Sequence, residues 1–341
     1  MRALRRQFPG ASIVYVVEPH AAPVVLGNPH LNEVIVAPRI GGVRGFAADL
    51  ALGRRLRAGL FDLAIDFHGG PRASLLTWLS NARERIGYEI AGRGWMYTRR
   101  VARSRALAPR HSVENQWDLI RPLGIDPPDR ERDSVEMAIG DHTIAAVARR
   151  LSAAGVADHH RLIVIHVSAG NPFRRWPLEH FIALAAGLAG NTERRVIVTS
   201  GPSEREAAAS VVAGARAALG PPAAMRVLSC GEFSLAELRA LFDRAALYIG
   251  GDSGPLHIAA TSRVAIVALY GPTMPARSRP WRSPAWSTAS VDAGDLPCRP
   301  CDQRTCQPGD FRCLTWIPPE RVVAAALRLM NGATSPQDLH V

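Results

Sequence analysis

Short runs of apolar, β-branched residues alternate along this chain with segments of helical period, and no other feature constrains the fold as tightly. Apolar runs bounded by Gly, Pro and charged residues suit strands buried on both faces, as in parallel sheets whose connections are helices. The pattern predicts strands over 12–17, 33–36, 61–67 and 85–88, then over 161–167, 195–199, 225–228, 247–249 and 264–269. It predicts helices over 2–7, 47–58, 72–79, 113–123, 178–188, 204–219, 235–244 and 255–261. The expected fold class is α/β, built from doubly wound parallel sheets.

A chain of 341 residues accommodates about two such domains. Residues 124–134 carry Pro127, Pro128 and a dense run of charges, and an amphipathic segment over 141–154 follows. We expect a first domain over 1–145, a second over 146–320, and a C-terminal helix and tail over 321–341. Two such halves facing each other would hold a ligand in a crevice at the carboxyl ends of their strands. With 47% hydrophobic and 21% charged residues, disorder is excluded. No stretch is long and apolar enough to span a bilayer, and the basic N-terminus has no apolar leader behind it, so a soluble, cytoplasmic protein is expected.

The net charge of +11 comes entirely from arginine, for the chain has no lysine among its 41 basic residues. A guanidinium fork suits phosphate and carboxylate oxygens. A GC-rich coding sequence would produce the same composition, so a phosphate reading has to rest on local motifs. Two qualify. Leu247-Tyr248-Ile249-Gly250-Gly251-Asp252-Ser253-Gly254-Pro255-Leu256-His257 reads as a strand, a glycine turn and a helix start, with Ser253 at an N-cap type position and Pro255 in the first turn. Glycines let backbone approach a ligand closely, and the N–H groups there suit a phosphate. The plain alternative is a capped turn. His166 to Phe181 follows a predicted buried strand with a loop carrying Arg174 and Arg175, then enters a helix through Trp176-Pro177. Such arginines suit a diphosphate, or else form a solvated basic loop.

Arg174-Arg175-Trp176-Pro177-Leu178-Glu179-His180-Phe181, the motif over 250–260 and Tyr270-Gly271-Pro272-Thr273 resemble, in order and spacing, the ADP-heptose:lipopolysaccharide heptosyltransferases of glycosyltransferase family 9. The segment from Phe61 through Asp66-Phe67-His68-Gly69-Gly70-Pro71-Arg72 is similar to the family's acceptor-side loop, and His111-Ser112-Val113-Glu114 to a helix start of that family. The resemblance implies a GT-B architecture: two Rossmann-like domains facing across a crevice, the second for the nucleotide sugar and the first for the acceptor. It implies an inverting, metal-independent transfer of heptose from ADP-heptose to a hydroxyl of the lipopolysaccharide inner core, with no cofactor for catalysis. Donor binding would fall to Arg174, Arg175, Asp252, Ser253, Gly254 and His257, and acceptor binding to Asp66, His68 and Arg72. The implied partners are an ADP-sugar donor and a lipopolysaccharide-precursor acceptor.

The sequence departs from the family at its start. Members place a strand and a Gly-Asp loop before the helix that corresponds to 2–7, and that aspartate is thought to be the base. Neither is present in this sequence. The catalytic base is therefore unassigned, with Asp66 a substitute candidate whose other reading is a loop-orienting carboxylate. The chain as it stands is expected to bind donor and to transfer sugar poorly, unless residues upstream of Met1 supply the loop.

Cys298, Cys301, Cys306 and Cys313 fall within 16 residues, a density that suits a structural zinc, a labile disulfide or unligated thiols. Arg93, Arg99, Arg100, Arg103, Arg105 and Arg110, with Trp95 and Tyr97 among them, read as a linker-like loop. That loop would contact acceptor phosphates or an anionic leaflet, with peripheral attachment to the inner membrane, rather than nucleic acid. Two other functions stay open: a non-catalytic nucleotide-sugar or glycan-binding protein, and a sugar-nucleotide epimerase of the same fold. Epimerases share a Gly-Asp-Ser-Gly loop but tend to follow it with Gln and acidic residues rather than Pro255-Leu256-His257.

Overall fold

The computed structural model describes residues 1–103, 110–167 and 170–332. It divides into two compact units, Met1–Asp129 and Arg130–Val341.

The first unit runs α1 (Arg2–Gln7), β1 (Val14–Val17), α2 (Ala22–Val25), β2 (Glu33–Val36), α3 (Gly42–Ala58), β3 (Leu63–Ile65), α4 (Pro71–Leu79), β4 (Glu84–Tyr88), β5 (Arg99–Val101) and α5 (Ser112–Trp117). Among the described residues all strand pairs of this unit are parallel, in two sheets of order β1-β2 and β3-β4-β5. The strands are mostly half-buried, and the apolar contacts fall into three small clusters around Leu4 and Ile120, around Ile35, Leu56 and Leu76, and around Ile86 and Leu119. The N-terminal helix is tied down by Arg5, which donates to the carbonyl of Ala11 at 2.6 Å and to Asn32 Oδ1 at 2.6 Å. β5 overturns the linker-like reading of the arginine segment. Arg99 and Arg100 lie in a strand parallel to β4, whose pairing supplies the regularity that a run rich in arginine does not signal locally. Arg105 lies outside the described residues.

The second unit runs α6 (Asp141–Ala153), β6 (Arg161–His166), α7 (Leu178–Ala189), β7 (Arg194–Thr199), α8 (Arg205–Leu219), β8 (Val227–Leu228), α9 (Leu235–Arg244), β9 (Leu247–Gly251), α10 (Gly254–Ala259), β10 (Ala265–Tyr270), α11 (Pro275–Ser278), β11 (Thr288–Asp292), α12 (Arg312–Thr315) and α13 (Pro319–Met330). Its six strands form one parallel sheet of order β11-β10-β9-β6-β7-β8. Two large cores cover it: one built on α7, α8 and α13, the other on α6, α9 and α10. Capping is legible in the sequence at α9, where Ser234 accepts from the Glu237 amide and Glu237 accepts from the Ser234 amide at 2.7 Å.

The boundary falls at Asp129/Arg130, earlier than the one expected after 145, because α6 belongs to the second unit. Arg150 fixes it there, donating to the carbonyls of Cys230 and Glu232 and lying 3.9 Å over the Phe233 ring. The helix expected as a separate segment after 320 is core as well: Val322 and Ala326 in α13 are fully buried, and Arg161 reaches the Met330 carbonyl.

Candidate functional site

In the second unit the strand order reverses between β6 and β9, and His166 at the end of β6 stands in register with Gly250. The loops leaving these two strands part in opposite directions, which opens a crevice at the carboxyl edge of the sheet. Both sequence motifs lie there.

β9 ends on Gly250 and Gly251, and the backbone turns through Asp252 and Ser253 into α10. A side chain at Gly250 would place Cβ 2.3 Å from the Tyr248 hydroxyl, so only glycine fits. Ser253 is extended at the N-cap, and Pro255 sits in the first turn. The backbone N–H groups of Ser253 and Gly254 have no hydrogen-bond partner among the described residues.

After β6, Asn171 accepts from the Phe173 amide at 3.0 Å and closes a single 3₁₀ turn over Pro172–Arg174. That turn carries Arg174 across to the other loop. Its Nη1 donates to the Asp252 carbonyl at 3.1 Å and to Asp252 Oδ2 at 3.2 Å. Its Nε donates to Gln303 Oε1 at 2.7 Å. Its Nη2 has no partner among the described residues, and the side chain stays 30% exposed. His257, 47% exposed, sits 3.6 Å from the other oxygen of Asp252. Burial pushes the Asp252 carboxyl up, but the nearby polar groups of His257 and Thr273 and the Arg174 charge outweigh it, and the group lies below its ordinary value. A carboxylate held ionised thus orients two cationic or donor side chains and leaves their outer edges free.

Arg175 has a different task. It donates to Glu204 at 2.8 Å, and Glu204 is buried with 7% of its surface exposed. An unpaired carboxylate there would cost several kcal/mol, so Arg175, expected to bind donor, is engaged as its counter-ion. Glu204 and fully buried His166 were not singled out by sequence reasoning as site residues; their one signal is a charged or titratable residue at or just past a strand end. His166 bonds Thr199 at 2.9 Å, and burial drops its pKa to about 4 against the pull of Glu204. Ser168 and Ala169, at the start of this loop, lie outside the described residues.

The first unit brings its expected residues together only in part. Asp66 is buried; one oxygen accepts from the amides of His68 and Gly69 at 2.9 and 2.8 Å, the other from the Tyr97 hydroxyl at 2.6 Å. This carboxylate orients its own loop, the second of the two readings made for it. His68 is exposed. Arg72, expected at the acceptor, is fully engaged inside the unit: it grips Asp49 through Nε and Nη2 and donates to the carbonyls of Ala37 and Pro38. It ties α4 to α3 and to the end of β2.

Cys298, Cys301 and Cys306 are half-buried and Cys313 is buried, all as free thiols. Burial pushes Cys313 up to about 11. Among the described residues no three His, Cys, Asp or Glu side chains are placed to hold a metal ion. As placed, these thiols do not fit the zinc that their spacing suggests.

A switch point flanked by a cationic loop and a glycine turn, in a Rossmann-like unit, defines a nucleotide-binding α/β protein. The chain matches glycosyltransferase family 9 (heptosyltransferase) over residues 50–310, and it belongs to that family. Lipopolysaccharide heptosyltransferase 3 of Escherichia coli is 27% identical over 340 residues, covering 99% of this chain and 96% of that protein. The crystal structure of the glycosyl transferase family 9 protein of Veillonella parvula DSM 2008 aligns with a TM-score of 0.80 at 25% identity, covering 97% of this chain and 91% of that one. E. coli heptosyltransferase WaaC, solved with ADP, aligns with a TM-score of 0.66 at 19% identity, covering 98% and 94%.

Proposed function

We propose that this protein transfers heptose from ADP-heptose to a hydroxyl of a lipopolysaccharide inner-core precursor, with inversion at the anomeric carbon. The observation that carries the reading is the meeting of Arg174, Asp252, Ser253 and His257 at the switch point of the second unit. In this reading the diphosphate takes the free Nη2 of Arg174, the amides of Ser253 and Gly254, and the outer face of His257. Negative charge that builds on the leaving ADP is met by donors already in place, so little reorganisation accompanies bond cleavage. Calorimetry with ADP and ADP-heptose tests the site: an Arg174→Ala, Ser253→Ala double variant is expected to bind at least tenfold more weakly. Unchanged affinity would remove the assignment. Transfer to a heptose-deficient acceptor, with the anomeric configuration read by NMR, tests the reaction; binding without transfer would favour a nucleotide-sugar-binding protein.

We assign the peripheral contact with an anionic membrane to the turn into α3, not to the arginine segment. Arg99 and Arg110 pair with Glu84 and Asp118, and Arg93 donates to the Gly69 carbonyl. Ile40, Val43 and Phe46, by contrast, are 49%, 86% and 65% exposed, and Arg39 and Arg44 beside them have no partner among the described residues. Exposed apolar side chains flanked by cations suit the interface of an anionic bilayer, at about 1 kcal/mol per arginine. Sedimentation with vesicles should show binding that requires anionic lipid and falls in a Val43→Ser, Phe46→Ser variant.

A further inference from the structure

We propose that Gln303, in the cysteine-rich segment, is a positioning residue for the donor diphosphate, acting through Arg174. The inference rests on the loops after β6 and β9 being the donor site. An arginine side chain gives up conformational freedom when it is ordered. A site that orders it beforehand binds its anion more tightly. Arg174 is held at two edges: Nη1 on Asp252, and Nε on Gln303 Oε1 at 2.7 Å. Two anchors fix the plane of the guanidinium and single out Nη2 as the edge left for the ligand.

The Gln303 carbonyl oxygen has two lone pairs and uses both, the second accepting from Asn171 Nδ2 at 2.9 Å. Asn171 is the residue that closes the turn bearing Arg174, so one oxygen sets both the turn and its arginine. The backbone at Gln303 is left-handed, φ 60°. A non-glycine residue there carries a conformational cost. Glycine would relieve that cost, yet the position carries a side chain, and that side chain lies on the donor loop.

The surrounding segment is fastened so that the contact is stiff. Arg299, its side chain 3% exposed, donates to the Thr273 carbonyl at 3.0 Å and pairs with Asp292. On the far side the Phe311 ring lies 5.5 Å from that of Phe173. The segment over 298–313 thereby forms a wall of the donor site, a role that needs no metal on its thiols.

The test is a double-mutant cycle on ADP affinity, read by calorimetry, with adenosine as a ligand lacking phosphate. Gln303→Gly removes the side chain and relieves the left-handed backbone, so thermal stability should hold or rise. ADP affinity should nonetheless fall about tenfold, the size of one hydrogen bond to a charged group, while adenosine affinity is unmoved. In an Arg174→Ala background the same change should have no further effect, because its action runs through Arg174. A loss of equal size in both backgrounds, a loss shared by adenosine, or no loss at all would overturn the proposal. If Arg174→Ala alone leaves ADP affinity unchanged, it is the donor-site reading that falls.

Discussion

The two units are built from the same parallel strands and covering helices, yet they hold together differently. In the second, six strands pair into one sheet, and nearly every residue of β6, β7, β9 and β10 is buried. In the first, five short strands form two sheets, most of their residues are half-buried, and the apolar clusters are small. Its loops are fixed instead by polar clasps: Arg5 on the N-terminal turn, Arg72 on Asp49, and Asp66 on its own amides and Tyr97. A continuous sheet specifies its switch point by geometry, so the loops after β6 and β9 inherit a rigid base. A unit joined by clasps places its loops one bond at a time, and each bond engages a residue that could otherwise touch a ligand.

The largest expected effect separates the two cores. Ile165→Ala, at a fully buried position in the central strand of the second unit, should cost about 3–4 kcal/mol in urea unfolding. Ile65→Ala, at the corresponding half-buried level of β3, should cost about 1 kcal/mol, since less apolar surface is lost. Equal losses would break the comparison.

A pH series sharpens it. His166 has a folded pKa of about 4 against an ordinary 6.5. The unfolded chain therefore binds a proton that the folded chain refuses, and stability should fall as pH drops from 6.5 towards 4, by about 3 kcal/mol in all. Above pH 7 the contribution is flat. Unfolding curves across this window should show the slope, and His166→Asn should remove it. A slope that survives the substitution would place the titrating group elsewhere.

The smallest effect is kinetic. Cys298, Cys301 and Cys306 should alkylate readily in the native protein, while Cys313 and Cys230 react slowly, because burial raises both of their pKa values and shields them. Mass spectrometry of timed iodoacetamide reactions reads the order. Four thiols protected together, with one equivalent of zinc released by acid, would restore the metal reading.

Much of the second unit was legible in the sequence. The run 161–167 and the helical period over 235–244 are local signals, and the glycine turn over 250–254 advertised its own close approach. β11 was missed, because Thr288-Ala289-Ser290-Val291-Asp292 is a strand only by virtue of its place beside β10. β5 escaped for the same reason beside β4. Among site residues, Asp252 and Arg174 were found through motif and resemblance, whereas Gln303 was not, since nothing local marks a glutamine between cysteines as the neighbour of an arginine 129 residues earlier.

What the sequence determined by itself is the order of elements, the α/β class and the residues from which a phosphate site could be assembled, because hydrophobic period, capping and turn chemistry act over a few residues. What only the tertiary structure decided is which charged side chains remain available. Arg174 and Arg175 are neighbours of one kind in the chain, but one leans on Asp252 with an edge free and the other neutralises buried Glu204. That division depends on which carboxylate folding brings within about 3 Å of each guanidinium, a distance set by long-range packing and invisible to any local pattern.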